Sequence, residues 1–235
     1  MNDLDVPAAE LPMALARLHW AIEPGAPVDL RVQGWAEDAL RDVVTGAGFD
    51  VDAVDVDGGV ARVRATRALS LPDTVDEGMR LLVCGLNPSV YAAERGVGFA
   101  RPSNRFWRAA TEAGLVSRER DTEHALLVDR VGMTDLCKRA TAASAELTTG
   151  EYRAGAARVE RLVEWLRPRA VVFVGLEGWR AAIDKQAMPG VQPRTFGGRP
   201  AYVMPSTSGL NAHSRLEHLV DHLNAAARVA DTAPE

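Results

Sequence analysis

The stretch Leu81-Leu82-Val83-Cys84-Gly85-Leu86-Asn87-Pro88-Ser89 is an apolar run that stops at a glycine and delivers an asparagine and a proline. A strand covered on both faces need not alternate, so Leu81 to Cys84, bounded by Gly85 and Pro88, suit a buried parallel strand. Asn87 then lies at the carboxyl end of that strand, where open α/β sheets place their ligands. Ala170-Val171-Val172-Phe173-Val174-Gly175 repeats the pattern, and Pro200-Ala201-Tyr202-Val203-Met204-Pro205 gives a last strand. Three strand ends, Asn87, Gly175 and Pro205, are expected to converge on one edge of a parallel sheet.

Helical spacing fills the intervals. Helices are expected from about Asn104 to Ala113, over 151–166, from Gly178 to Lys185 and from Leu216 to Ala227. Leu126 to Val131 reads as a further strand, leading into a loop Gly132-Met133-Thr134-Asp135. The sum is a three-layer α/β/α domain with a short, mostly parallel central sheet over residues 79–230, followed by a tail at 231–235. Ahead of it, residues 1–10 read as a mobile acidic terminus. A helix from Leu11 to Ile22 is stopped by Pro24-Gly25, and Val28 to Val32 alternates as a strand. Trp35 to Ala47 gives a second helix, and strands Phe49 to Val56 and Val60 to Thr66 form a hairpin across Asp57-Gly58-Gly59. Leu69 to Gly78 reads as a linker, so residues 1–78 form a small acidic α+β module.

Of the 235 residues 47% are apolar and 25% charged, and no run approaches a membrane span. The acidic start lacks the basic and apolar regions of a signal peptide, so a cytoplasmic protein is expected. Two cysteines, Cys84 and Cys137, build neither a disulfide framework nor a four-cysteine metal cluster. His213, His218 and His222 fall close together, but without a further ligand type at fixed spacing they read as exposed helix polar groups; neither metal nor cofactor is expected. Residues 1–79 carry 6 Arg/Lys and 15 Asp/Glu, whereas residues 80–230 carry 21 and 15. The basic part is rich in arginine, which suits bidentate phosphate contacts.

Two of the strand ends open into long loops. The first runs Gly85-Leu86-Asn87-Pro88-Ser89-Val90-Tyr91-Ala92-Ala93 and continues as Gly96-Val97-Gly98-Phe99-Ala100-Arg101-Pro102-Ser103-Asn104-Arg105-Phe106-Trp107; the second runs Met204-Pro205-Ser206-Thr207-Ser208-Gly209-Leu210-Asn211-Ala212-His213-Ser214-Arg215. At these residues, and from about Arg80 to Arg228, the chain resembles the mismatch-specific uracil/thymine DNA glycosylases, a branch of the uracil-DNA glycosylase superfamily. The resemblance implies that Asn87 positions the attacking water at the anomeric carbon. An amide is a poor base, so uracil must leave largely as an anion, steadied by fixed dipoles such as the backbone N–H of Leu86. It implies that Phe99 stacks on the flipped base, that Ala92 leaves room beside it, and that Ser206 belongs to the base-binding wall. Ser208, Gly209 and Leu210 resemble the segment that enters the duplex, with Leu210 as wedge, Asn211 meeting the orphaned guanine, and Ser214 and Arg215 holding phosphates.

The chain departs from the family at Ser89, where many relatives carry glycine. Met204-Pro205-Ser206 stands where the most active uracil glycosylases carry His-Pro-Ser, and Asn87 replaces their acidic residue, so slow turnover is expected. No lysine falls in a motif, so base removal should leave an intact abasic strand. The resulting expectation is a monofunctional glycosylase acting on uracil, and on thymine or other damaged bases, in G·U mispairs of duplex DNA. It would work as a monomer in the bacterial nucleoid, with a protein partner reached through the acidic front. The alternative is a non-catalytic binder of mismatches or abasic sites. Residues 1–70 resemble the last third of a class I methyltransferase, without the glycine-rich loop that would hold its cofactor.

Overall fold

The computed structural model describes residues 2–3 and 6–233. The front of the chain builds a four-stranded sheet. Strand β1 (Asn2–Asp3) pairs parallel with β2 (Pro27–Gln33), and β4 (Val60–Arg67) lies antiparallel between β2 and β3 (Phe49–Asp57). Helices α1 (Leu11–Ala21) and α2 (Glu37–Gly46) accompany it. The β3–β4 hairpin turns through Gly58 and Gly59, both at positive φ, as its sequence requires. Residues 1–10 do not form a featureless terminus. Asn2 and Asp3 pair with Leu30 and Arg31, and Ala8–Glu10 make a 3₁₀ turn; residues 1, 4 and 5 lie outside the described residues.

The second sheet has the order β6-β5-β7-β9-β8. Strands β5 (Leu81–Gly85), β6 (Val131–Asp135), β7 (Ala170–Val174) and β9 (Ala201–Met204) run parallel, and the short β8 (Gly190–Val191) closes one edge antiparallel. Side chains of β5 go alternately to two layers. Leu82 and Cys84 pack toward α6 (Thr149–Leu166) and α7 (Leu176–Ala182), while Leu81 and Val83 pack toward α4 (Phe106–Glu112) and α8 (Leu216–Thr232). The α/β/α sandwich with a mostly parallel sheet is therefore the observed fold. Short helices α3 (Val90–Arg95) and α5 (Thr122–Leu127) complete it. The last helix runs through the start of the anticipated tail, whose residues 234–235 lie outside the described residues.

One strand was expected in the wrong place. Leu126 falls in helix α5, which Asp121 caps by accepting the His124 N–H at 2.9 Å, and the strand occupies Val131–Asp135, the presumed loop. Gly132 explains the misreading. A Cβ there would collide with Met79 Sδ and meet the Thr74 carbonyl at 3.1 Å, so the glycine marks close approach in a strand and not a turn.

The presumed linker is also built in. Leu71, Asp73, Thr74 and Val75 are buried, and Thr74 bridges Met133 on β6. Asp73 carries the joint: its carboxylate accepts from Arg158 at 2.7 Å, Lys138 at 2.9 Å and Thr134 Oγ1 at 2.6 Å, and its N–H donates to the Gly46 carbonyl. Helix α1 is shared, with Leu11 and Leu15 in the core of the first sheet and Met13 and Ala16 in that of the second.

Burial alone would push the Asp73 carboxyl up, but Arg158, Lys138 and the Thr134 hydroxyl together hold it below the ordinary range. Its contribution to stability is then complete above the ordinary carboxylate range and is lost as pH falls through the lowered value. Asp73→Ala leaves two cations uncompensated and is expected to cost about 3–5 kcal/mol, read as a lower urea midpoint at unchanged slope. Adding Arg158→Met should recover part of that loss, giving a non-additive cycle.

Candidate active site

The carboxyl ends of β5, β6, β7 and β9 line up, and a cavity of about 420 Å³ opens above them. Its walls include Asn87, Ala92, Phe99, Asp135, Ser206 and Leu210. The two loops singled out in the sequence therefore meet across one pocket, and Leu86 and Ser208 also border it.

Asn87 is held by the segment after β6. Its Nδ2 donates to the Arg139 carbonyl at 2.9 Å, to Thr141 Oγ1 at 2.8 Å and to the Pro88 carbonyl at 3.1 Å. Thr141 N–H in turn donates to the Pro88 carbonyl at 3.1 Å. With the amide nitrogen saturated, Oδ1 is the atom left to accept from a pocket guest. Ser89 has φ −73°, a conformation that needs no glycine, and its hydroxyl accepts the Ala92 N–H at 3.2 Å as the N-cap of α3. The departure at Ser89 is thus a helix cap, and Ala92 lies buried at the pocket wall one turn on.

Phe99 sits at φ 57°, an unusual conformation for a bulky residue. Its ring stacks on Phe106 with centroids 4.2 Å apart and planes 24° from parallel. Trp107 fixes the preceding turn by donating Nε1–H to the Gly98 carbonyl at 2.8 Å. Phe106 and Trp107 are fully buried, and Asn104 accepts the Phe106 N–H at 3.0 Å, so the Asn-Arg-Phe-Trp segment is a pedestal for Phe99. Strain of this kind persists where surrounding structure over-determines it.

The second loop is braced internally. Arg105 donates from its guanidinium to the carbonyls of Ser208 at 2.9 Å, Asn211 at 2.8 Å and Ser214. Gly209 lies against the first loop, where a Cβ would come 2.6 Å from Ser103 Cβ and 2.8 Å from its carbonyl. Leu210 projects from this frame, 97% exposed. Asn211 and Ser214 are turned inward. The Asn211 amide donates to the Ser206 carbonyl at 2.8 Å and Ser214 Oγ at 3.1 Å, and its Oδ1 accepts the His213 N–H, so both residues brace the loop. Arg215, at the start of α8, is exposed beside them. His222 Nδ1 meets the Tyr202 hydroxyl at 2.7 Å, and the described residues contain no group of three or more His, Cys, Asp or Glu side chains that would hold a metal.

Two residues of this site escaped the sequence reading. Arg105 looked like a helix start, and its role depends on carbonyls about a hundred positions away. Asp135 was assigned to a loop; as the last residue of β6 it is paired in register with Gly85, the foot of the Asn87 tip. Burial pushes its carboxyl up to about 6, against Lys138 and Arg158, with Asp73 adding to the rise. The signal that finds it is a Thr-Asp pair closing an apolar segment, once the strand is moved five residues on.

Arg105→Met is expected to free the 205–215 loop while leaving the sheet intact. Amide hydrogen exchange over residues 206–214 should speed by at least about tenfold, with exchange in β5 and β7 unchanged.

A family model described as the uracil DNA glycosylase superfamily matches residues 72–228. Among solved structures, the chain is similar to a solution NMR structure from Methanosarcina acetivorans, provisionally named a uracil DNA glycosylase. The match has 18% identity and a TM-score of 0.47, covering 68% of this chain and 96% of that one.

Proposed function

The chain belongs to the uracil DNA glycosylase superfamily, and from that premise we propose that it hydrolyses the N-glycosidic bond of uracil in G·U mispairs of duplex DNA, initiating base excision repair. Membership supports a DNA glycosylase role and DNA as the partner; the mispair, the base and the residue roles are our reading. The observation that carries it is the Asn87 amide, whose nitrogen is saturated by three acceptors and whose oxygen is left to the pocket.

In this reading the target nucleotide swings out of the stack into the pocket, where its base lies on the free face of Phe99. Ala92 leaves room at the ring edge, and Ser206 and the backbone of Leu86 border the base. Asn87 Oδ1 accepts a hydrogen bond from a water and fixes it facing the anomeric carbon. The amide takes no proton, so bond breaking runs ahead of water attack, and the leaving base is steadied by fixed dipoles. The exposed Leu210 fills the gap left in the duplex, offsetting part of the unstacking cost of a few kcal/mol. In this reading the exposed Arg215 meets a phosphate, and Ser208 and Gly209 shape the wedge between the loops.

Chemistry then resides in residues 79–230, acting as a monomer. Residues 1–78 form an acidic module for a protein partner, and the protein works on the cytoplasmic nucleoid. Among the described residues, no helix is long and apolar enough to cross a membrane.

A labelled duplex with one G·U pair should show a strand break only after alkali treatment; without an alkali-dependent break the activity is refuted. Retained binding in that case would indicate a non-catalytic binder of mismatches or abasic sites. Asn87→Ala should lower single-turnover release by at least about a hundredfold while mispair binding persists. Leu210→Ala should weaken binding to the mispair relative to a matched duplex by roughly tenfold, about 1.4 kcal/mol.

A further inference from the structure

A second cavity, of about 530 Å³, opens between α2 and α6, where the front of the chain meets the larger sheet's helical layer. It shares no residue with the pocket above the strand tips. Its apolar wall is built on two tryptophans. Trp35 precedes α2 and Trp165 lies near the end of α6, and their rings meet edge to face with centroids 5.1 Å apart and planes at 83°. Both rings are only partly buried, and Trp165 packs against the cores of both sheets. The Trp35 indole N–H is buried without an acceptor among the described residues, so packing and not a hydrogen bond keeps that ring in place. Gly34, Ala36 and Ala39 carry nothing larger than a methyl, which leaves space beside the rings. Two indoles at a right angle form two sides of a corner, and the faces of both attract a positive charge seated in it.

The charged groups of the wall point to the same guest. Arg161 donates to both oxygens of Asp42, at 2.6 and 3.0 Å. Arg158 gives Nη1 to Asp73 and Nη2 to Thr134 Oγ1 and the Asp135 carbonyl. Both cations of the wall are therefore held by carboxylates already in the fold. Asp38, in the first turn of α2, is exposed and makes no hydrogen bond or ion pair among the described residues. One carboxylate of the wall is left without a counter-ion. The surrounding field has the same sign, since residues 1–79 carry 15 Asp/Glu against 6 Arg/Lys.

We propose that this corner binds a small organic cation, a quaternary or protonated amine on an apolar body, with its charge against the faces of Trp35 and Trp165 and beside Asp38. The volume suits a guest of drug size. An anion of that shape would be opposed by Asp38, and an uncharged one would forgo the attraction of the rings and of the carboxylate. The site stands apart from the glycosylase reading, because none of its groups borders the pocket in which that chemistry is placed.

The test follows the five indole N–H signals of the isotopically labelled full chain by proton–nitrogen NMR, each assigned by a single Trp→Phe exchange. Titration with (para-hydroxyphenyl)trimethylammonium should move the Trp35 and Trp165 signals saturably, with a Kd at or below about 1 mM, and leave those of Trp20, Trp107 and Trp179 in place. The uncharged probe para-tert-butylphenol has the same shape with carbon in place of the charged nitrogen, and should bind about tenfold more weakly. Asp38→Asn removes an exposed, unbonded charge, so the fold is kept; it should weaken the cation about threefold and leave the phenol unchanged. Equal affinity for the two probes overturns the proposal, as does a cation preference untouched by Asp38→Asn. Shifts confined to the other three tryptophans, or none at about 10 mM probe, overturn it too. So does movement of the Trp35 and Trp165 signals on raising the protein concentration alone, which would make a second copy of the chain the occupant.

Discussion

The buried carboxylate of Asp73 is the interaction on which the architecture rests. One side chain accepts from strand β6, from the segment that follows it and from helix α6, and its backbone is tied to the end of α2. Removing a carboxylate and two cations from water is costly, and the arrangement holds only because each oxygen of Asp73 is met by a charged donor. Arg158 makes the joint directional. Its guanidinium also donates to Thr134 Oγ1 and to the Asp135 carbonyl, so the ion cluster fixes the end of β6 where it enters the pocket. The front sheet is thereby coupled to the pocket floor, and the shared helix α1 gives the two sheets continuous cores.

Above that floor, the geometry depends on where side chains are missing. Gly85 lets a neighbouring carboxyl cross the strand tip, and Gly209 lets the second loop touch the first at Ser103. Arg105 converts this contact into a frame by binding three carbonyls of the far loop, which leaves Leu210 as a lone projecting apolar side chain. An exposed leucine on a mobile loop would lose its position to entropy; on a braced loop that ordering cost is already met.

The sequence was legible where local rules act alone. The apolar runs at Leu81 and Ala170, the Gly58-Gly59 hairpin and the long helix up to Leu166 followed from periodicity and turn chemistry, because nothing distant overrides them. It was illegible where packing partners decide. Gly132 reads as a turn until Met79 is seen against it, and that misplacement hid Asp135 as a strand end. The buried stretch around Asp73 reads as a linker because the partners of its carboxylate, Thr134, Lys138 and Arg158, lie far along the chain. Ser89 read as a departure near the reacting centre; it is a helix cap whose hydroxyl is spent on the Ala92 N–H. Asn87, Phe99 and Leu210 were visible as residue types in motifs, but the atoms that hold them, Thr141, Phe106 and Arg105, come from elsewhere in the chain or have long-range partners.

The pocket places its neutral and ionisable groups in an order that bears on chemistry. Beyond the end of β5 the pocket wall carries an amide, Asn87, which has no charge at any working pH. The carboxyl stands one strand over, on β6, beside Phe99 and Gly85, where burial opposes its ionisation. An anion leaving from such a pocket is hindered by any full negative charge near it, and the opposing field grows as water is excluded. In the proposed reaction a neutral Asp135, present below about pH 6, removes that opposition but leaves no strong base for the water, so the rate would come from how well the base is gripped as it departs. Replacing Asn87 with an acid would therefore not by itself create a fast enzyme, because two carboxyls facing one pocket would each raise the other's affinity for a proton.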